Sequence, residues 1–160
     1  MPTRSEYHCY TDGACKAADG APGGWGFVIR QPGQPSLERY GSANGTLAKV
    51  MEYRAVAEAL LALPPGANAT VFSDNRPLIE NMQRNLANWQ RCEFANVDAS
   101  IVLSARSIDA SIREKQLVLR WQWLRAHNGN AGNERADALA AQGAREAKAA
   151  LVAQGKRRGR

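Results

Sequence analysis

Four acidic residues, Asp12, Glu52, Asp74 and Asp137, stand where the surrounding sequence makes a carboxylate costly or unexpected. Asp12 ends an alternating run and precedes Gly13, so it is predicted at the tip of a strand, and Asp74 ends a second such run. The carboxyl ends of neighbouring strands meet at one edge of an α/β sheet, where the strands are about 4.8 Å apart. Two carboxylates at that separation repel each other unless a cation lies between them. The spacing therefore predicts a site for two divalent metal ions, which is the chemistry of metal-dependent nucleases.

Each of these acids also has an ordinary explanation when it is taken alone. Asp12 and Asp74 could cap loops, whereas Glu52 and Asp137 fall near predicted helix starts, where the helix dipole favours a carboxylate. Glu52 is harder to explain as a surface residue, because its neighbours three to four positions away are apolar and should face the sheet. The combination of four acids, rather than any single one, indicates the metal site.

Strands and helices alternate along the chain in a way that predicts an α/β fold, with a mixed sheet flanked by helices. The first three predicted strands form an antiparallel meander, because turn sequences rich in glycine and proline separate them. Apolar residues at helical spacing predict the helices. The predicted strands cover residues 6–11, 25–30, 37–41, 69–73 and 117–123. The predicted helices cover residues 47–63, a segment after Pro77, residues 97–114 and residues 133 to about 153.

The length of 160 residues and the hydrophobic content of 44% suit one compact core and are too small for two ordinary domains. We expect a single domain over residues 1–153 and a basic, flexible tail over residues 154–160. No run approaches the roughly 20 apolar residues of a membrane helix, and the N-terminus lacks the apolar segment of a signal peptide. The three cysteines do not form an even disulfide framework, so we expect free thiols, a cytoplasmic location and no membrane partner.

The net charge of +6 is concentrated at the C-terminal end of the chain. Residues 145–160 contain six basic residues and one acidic residue, a net of +5, which leaves +1 for the rest. Bound divalent ions would make that remaining body clearly cationic where phosphate would lie. We hypothesise that the tail from Lys156 to Arg160 helps to hold nucleic-acid phosphates. A solvated end that binds nothing stays open as the alternative, because terminal charge runs are commonly just solvated.

Several short motifs occur together and resemble those of type 1 ribonucleases H. They span residues 7 to about 142 and keep that family's order and spacings. The motifs are Tyr10-Thr11-Asp12-Gly13-Ala14-Cys15, Gly23-Gly24-Trp25-Gly26, Met51-Glu52, Ser73-Asp74-Asn75, Ala126-His127-Asn128-Gly129-Asn130 and Gly132-Asn133-Glu134-Arg135-Ala136-Asp137. The resemblance implies a ribonuclease H-like fold, an α/β fold whose five-stranded mixed sheet has the order 3-2-1-4-5. It also implies an endoribonuclease that hydrolyses the RNA strand of RNA:DNA hybrids, and we expect it to be a monomer.

The same resemblance implies roles for individual residues. The matched metal ligands are Asp12, Glu52, Asp74 and Asp137, and His127 matches a mobile loop histidine that assists proton transfer or product release. A histidine in a glycine-bearing loop suits that role, because imidazole ordinarily titrates close to neutral pH. The expected substrate-binding residues are Gly13, Ala14, Cys15, Met51, Asn75, Arg76 and Trp89.

Phosphodiester hydrolysis requires an activated water, neutralised charge on the pentacovalent phosphorus and a stabilised leaving alkoxide. Two Mg²⁺ ions about 3.5 to 4 Å apart supply all three. Oxygen ligands suit Mg²⁺, with Mn²⁺ as a substitute, better than they suit zinc. Asp12 would bridge the ions, Asp74 would help to hold the ion that activates water, and Glu52 and Asp137 would hold the other. The expected products carry 5′-phosphate and 3′-hydroxyl ends.

Departures from the family pattern concern substrate contacts rather than chemistry. Ala48-Lys49-Val50 replaces the usual Asn-Asn pair, Arg76 replaces a glutamine, and Asn85 stands where many members have a tryptophan. Residues 90–105 lack the lysine-rich protrusion of many bacterial members. Two other classes of function stay open: a catalytically silent hybrid-binding module, and a DNA-directed nuclease or recombinase of the wider superfamily.

Overall fold

The structure, a computed structural model, describes residues 6–15 and 21–159. The N-terminal stretch considered above for a signal peptide and the terminal residue Arg160 lie outside this part. The strands are β1 (Tyr7–Cys15), β2 (Ala21–Arg30), β3 (Leu37–Thr46), β4 (Asn68–Ser73) and β5 (Val118–Trp123). The helices are α1 (Ala48–Ala62), α2 (Arg76–Arg84), α3 (Leu86–Arg91), α4 (Val102–Glu114) and α5 (Ala131–Arg158).

The five strands form one mixed sheet in the order β3-β2-β1-β4-β5. β1, β2 and β3 pair antiparallel as a meander, whereas β4 pairs parallel to β1 and β5 parallel to β4. A parallel pair requires a crossover connection, and α1 supplies it between the meander and β4. The predicted α/β class, the mixed sheet and its strand order are confirmed.

Helices cover both faces of this sheet because side chains alternate along each strand. On β2, Phe27 and Ile29 belong to the main core with α1 and α4, whereas Val28 packs on the other face against Ala136 and Leu139 of α5. β2 is consequently buried along nearly its whole length. None of the helices in the described part of the chain is long and apolar enough to cross a membrane.

Two glycines permit the close approach of helices to the sheet. A Cβ atom at Gly13 would overlap the backbone of Met51 and Glu52, so α1 passes directly against β1 at this point. A Cβ atom at Gly24 would likewise overlap the backbone of α5. The first contact fixes the start of α1, and therefore Glu52, beside the end of β1.

Several boundaries differ from the predictions, and one short helix was not predicted. β1 does not end at Asp12 but continues to Cys15, because β2 offers it an antiparallel partner as far as Gly23. α4 begins at Val102, whereas the predicted helix began at residue 97. The short helix α3 was not predicted as a separate element, and it has no buried residue.

The C-terminal segment also differs, because α5 runs to Arg158 instead of ending near residue 153. Residues 154–158 continue the helix, and the predicted flexibility of the segment over residues 154–160 stays a prediction. Four of these five residues, Gln154, Lys156, Arg157 and Arg158, are good helix formers, and the basic residues in the last turn complement the helix dipole, which offsets the low helix propensity of Gly155. The division into one domain over residues 1–153 stays a prediction.

Candidate active site

Asp12 lies where β1 leaves one of its two neighbours. The last residue pair between β1 and β4 is Tyr10 with Phe72, and the Thr11 hydroxyl then donates to the Phe72 carbonyl at 3.1 Å. β1 continues past this point beside β2, where Asp12 pairs with Gly26. The Asp12 carboxylate therefore occupies the gap that opens between β1 and β4, although it is not at a strand tip. It is only 5% exposed, and the Gly13 backbone N–H donates to it at 2.9 Å.

Asp74 follows the last residue of β4, at the edge where the prediction placed it. The Trp123 indole N–H donates to the Asp74 backbone carbonyl at 3.1 Å and so ties β5 to this turn. The next residue, Asn75, donates its backbone N–H to the Ser73 hydroxyl at 3.1 Å and caps α2 by accepting from Leu78. Strand end, turn and helix start are thus held as one unit.

Glu52 comes from the first turns of α1 and is half-buried. The Asn75 side-chain amide donates a hydrogen bond to its carboxylate. Asn75 therefore both caps α2 and orients Glu52, a pairing across 23 residues of sequence that no local pattern signals.

The carboxylates of Asp12, Glu52 and Asp74 converge, with one ligand oxygen of each within 4.8 Å of the others. Asp137, on the second turn of α5, is exposed and lies outside this triad. Its carboxyl group is nevertheless close enough to Asp12 for a side-chain hydrogen bond, and close enough to Asp74 for the two negative charges to repel each other. His127 lies in the exposed loop before α5, with a positive φ of 55°, and its charge reaches Asp74.

Burial and the repulsion between neighbouring negative charges raise the pKa values of these carboxyl groups. Burial, followed by the charge of Asp74, raises the pKa of Asp12 to about 8. Burial also raises the pKa of Glu52 to about 7, although the Asn75 hydrogen bond opposes that rise. The pKa of Asp74 is raised by burial and by Asp137, against the lowering influence of His127. Three carboxylates held at this spacing therefore form a site that favours a positive charge among them.

The predicted substrate-binding residues fall into different environments. Gly13, Ala14 and Cys15 are half-buried along the end of β1, next to the triad in sequence and in space. The Cys15 thiol donates to the Thr46 carbonyl at 3.4 Å. Met51 differs from the prediction, because it is 2% exposed and packs in the main core behind Gly13, so its side chain does not reach the surface.

The other three predicted contacts lie around α2 and α3. Asn75 is engaged with Glu52, as described above. The Arg76 guanidinium lies over the Trp123 ring, 5.4 Å from its centroid, and is exposed next to Asp74. Trp89 is half-buried and packs partly against the main core. Sequence reasoning missed the supporting role of Trp123, because its alternating position on β5 predicts a core residue and gives no hint of the hydrogen bond to Asp74.

The sequence of this chain matches one family of known proteins. The sequence model of the RNase H family matches residues 4–145. The chain is 38% identical to Ribonuclease H of Bordetella bronchiseptica over 142 residues, which cover 87% of this chain and 89% of that protein. It is 39% identical to Ribonuclease H of Bordetella pertussis over 137 residues, covering 84% and 86%.

Solved structures agree on the fold. LC9-RNase H1 superposes with a TM-score of 0.75 at 23% identity, covering 92% of this chain and 75% of that one. LC11-RNase H1, solved in complex with an RNA/DNA hybrid, gives a TM-score of 0.65 at 19% identity and covers 88% and 98%. The resemblance noted from the motifs and the expectation of a ribonuclease H enzyme are both confirmed. The chain belongs to the RNase H family.

Proposed function

We propose that this chain is an endonuclease that hydrolyses the RNA strand of RNA:DNA hybrids and leaves 5′-phosphate and 3′-hydroxyl ends. The observation that carries the proposal is the convergence of Asp12, Glu52 and Asp74 within 4.8 Å in a chain of this family. The relatives named Ribonuclease H and the hybrid bound to LC11-RNase H1 support the choice of substrate.

The residues at the triad fit a hard divalent cation. All three donors are carboxylates, which suit Mg²⁺ or Mn²⁺ rather than zinc. The raised pKa values of Asp12 and Glu52 indicate that the ionised triad lacks a compensating positive charge, which a cation would supply. We propose two Mg²⁺ ions, with Mn²⁺ as a substitute. Asp12 would be shared between them, Asp74 would help to hold one, and Glu52 and Asp137 would hold the other.

When bound, these ions would activate the attacking water, neutralise charge on the phosphate and stabilise the leaving 3′-oxygen. The protein's own contribution is to hold the ionised carboxylates where their charges converge. The Gly13 N–H fixes Asp12 at 2.9 Å, and the Asn75 amide fixes Glu52. Because both carboxylates are oriented before substrate arrives, little reorganisation is needed during the reaction.

His127 is proposed as an assisting group in proton transfer or product release. It lies in an exposed loop with the left-handed backbone conformation at its own position and at Gly129, whose φ is 76°. The side chain is near Asp74 but outside the carboxylate triad. This placement leaves the imidazole open to solvent and beside the proposed cleavage site.

Recognition of RNA is proposed to use the shallow minor groove of the hybrid, where the 2′-hydroxyl is accessible. The backbone from Gly13 to Cys15 would lie beside the attacked strand, and Glu52 can accept a hydrogen bond from a 2′-hydroxyl. Arg76 offers a positive charge next to Asp74, and Trp89 an apolar surface for the DNA strand. The buried Met51 supports this surface from below.

We further propose a monomeric, cytoplasmic enzyme. One chain supplies all four acids and His127 to the site, so no second copy is needed to complete it. Cys9, Cys15 and Cys92 are free thiols, which is usual for a reducing compartment.

The direct test incubates the protein with matched RNA:DNA, RNA:RNA and DNA:DNA duplexes, each with and without Mg²⁺. We expect cleavage of the RNA strand of the hybrid alone, and only with the metal. Asp74→Asn is the matched inactive control, because it removes one triad charge without changing side-chain volume. Cleavage of DNA:DNA would instead support a DNA-directed nuclease, and hybrid binding without any cleavage would support a silent binding module. Either result would overturn the proposal.

A further inference from the structure

The last part of α5 projects beyond the folded body of the protein. The last buried residue of this helix is Ala147, and every residue from 148 to 159 is exposed. The match to the RNase H family model ends at residue 145. The projecting segment therefore lies beyond the part of the chain that the family model matches.

The projecting segment carries its basic residues in an ordered arrangement. Lys148, Val152 and Lys156 follow one another at intervals of four residues, and Arg145 precedes Lys148 by three, so all four lie on one side of the helix. They line a shallow groove together with Ala149 and Ala153. We call Arg145, Lys148 and Lys156 the basic stripe.

The one acidic residue of this half of α5, Glu146, points away from the basic stripe. Glu146 accepts a hydrogen bond from the Tyr40 hydroxyl at 2.8 Å, which turns its carboxylate towards β3. Among the described residues, no carboxylate lines the shallow groove along the stripe, and none lines a second groove that adjoins it at the end of β1. The stripe therefore presents a one-sided positive surface.

The stripe is continuous with the end of β1. The second groove, between the β1–β2 hairpin and α5, is lined by Ala14, Cys15 and Pro22 on one side and by Arg145 and Lys148 on the other. Ala14 and Cys15 are the residues proposed to lie beside the attacked strand. A nucleic-acid backbone leaving that segment would meet Arg145 and Lys148 first and Lys156 farther along.

We propose that the basic stripe binds the sugar–phosphate backbone of the RNA:DNA hybrid on the flank of the cleavage site. This inference rests on the proposed function. With a rise of about 1.5 Å per residue, Lys148 lies roughly 16 Å and Lys156 roughly 28 Å along the helix from Asp137. A duplex rises about 3.4 Å per base pair, so the roughly 28 Å from Asp137 to Lys156 corresponds to about eight base pairs. Only a long hybrid can reach the whole stripe.

The helical arrangement also supplies a matched control. Of the tail residues considered for phosphate binding in the sequence analysis, only Lys156 lies on the stripe, because each residue turns the helix by about 100°. Arg157 and Arg158 therefore project away from it, and the inference narrows the tail hypothesis to Lys156. The double variants Lys148→Gln/Lys156→Gln and Arg157→Gln/Arg158→Gln each remove two positive charges and retain good helix formers. Only the first pair removes charges from the stripe.

The experiment measures KM and kcat for both variants and the wild type on hybrids of about 18 and about 6 base pairs at several salt concentrations. For the stripe variant we expect a several-fold higher KM on the long hybrid, unchanged KM on the short one and unchanged kcat. The slope of log KM against log salt should fall by about two, roughly one for each lost phosphate contact. The control variant should stay close to wild type.

Equal effects of the two variants, or equal effects on both hybrid lengths, would show that general charge rather than the stripe is responsible. Those results, and an unchanged KM, would each overturn this inference while leaving hybrid cleavage by the wild type intact. A wild type that cleaves neither hybrid would overturn the proposed function instead, and the stripe with it.

Discussion

The carboxylates of the triad are expected to matter through their charge rather than their packing. Asp74→Asn keeps the volume of the side chain and removes one negative charge from the proposed metal site. We expect hybrid cleavage to fall by more than about a thousandfold, because such a site supplies several kcal/mol of transition-state stabilisation and 1.36 kcal/mol is tenfold in rate. Cleavage rates at saturating Mg²⁺ measure the effect.

Asp98→Asn is the control for this substitution, because Asp98 is an exposed aspartate whose partner is Lys49 at 3.0 Å. It should retain nearly full activity. If Asp74→Asn kept most of its Mg²⁺-dependent cleavage, the assignment of Asp74 as a metal ligand would be wrong.

The metal-free protein is expected to lose stability as the pH rises. The folded protein binds protons more tightly than the unfolded chain, because the pKa of Asp12 is raised to about 8 and that of Glu52 to about 7, against about 4 when unfolded. The contribution of these groups to stability is therefore fully present below about pH 4, declines as the pH rises from there, and is lost once the pH passes the folded pKa values of about 7 and 8. We expect a decrease on the order of 5 kcal/mol between pH 5.5 and 8.5, about 3 from Asp12 and about 2 from Glu52.

Urea unfolding in EDTA at both pH values measures this decrease. Asp12→Asn should flatten the dependence and be more stable than wild type at pH 8.5, since it cannot ionise. Mg²⁺ should reduce the decrease in the wild type. Identical pH profiles for wild type and variant would contradict the raised pKa of Asp12.

His127→Ala should impair catalysis less than loss of a triad carboxylate. The imidazole lies in an exposed loop beside Asp74, outside the triad, so the carboxylates keep their arrangement without it. General acid–base assistance is worth about 10²–10⁴-fold at most, and a role in product release would be worth less. Comparing single-turnover with steady-state rates separates the two roles. A loss as large as that of Asp74→Asn would mean that His127 does more than assist.

At the scale of elements, Lys115 closes the C-terminal end of α1. Its ammonium group donates to the carbonyls of Leu60, Leu61 and Leu63 at 3.1, 2.6 and 2.9 Å. Lys115→Met would leave these helix-end carbonyls without that donor, and we expect a loss of about 1–3 kcal/mol in the free energy of unfolding. Lys49→Met is the control, because its ion pair with Asp98 is exposed and worth at most about 1 kcal/mol. Urea denaturation that gave equal losses would contradict the capping role.

Elements with a clear local period were predictable, and those shaped by distant partners were not. The strands before Asp12 and Asp74 alternate clearly and turn residues separate the meander, so these elements were predictable, whereas the order of the whole sheet was implied by the resemblance to type 1 ribonucleases H. β1 runs past Asp12 only because β2 continues beside it, which no feature of β1 itself indicates. Likewise, the Asn75–Glu52 hydrogen bond joins α2 to α1 across 23 residues, so Asn75 was predicted only as a substrate contact.

The four acids illustrate the same limit within the site. Three of them, Asp12, Glu52 and Asp74, meet because β1, α1 and β4 pack together at one end of the sheet. Asp137 was predicted as an equal member, yet α5 holds it at the rim, exposed and outside the triad. Helical periodicity gives the face on which Asp137 lies but not how far α5 stands from β4. Its role as a ligand stays a prediction.

At the scale of the whole molecule, the parallel pairing of β1 with β4 governs when the site can form. Asp12 and Asp74 are about sixty residues apart in sequence, and the crossover through α1 must be complete before these strands pair. Pairing between distant segments is slow, whereas helices form on the microsecond scale. Mg²⁺ binding and hybrid cleavage should therefore return late during refolding from urea, after most of the helical circular dichroism signal has recovered. Catalytic recovery that coincided with the first helical signal would contradict this order. If activity instead lags behind the helical signal, the return of cleavage reports the time at which the central sheet is complete.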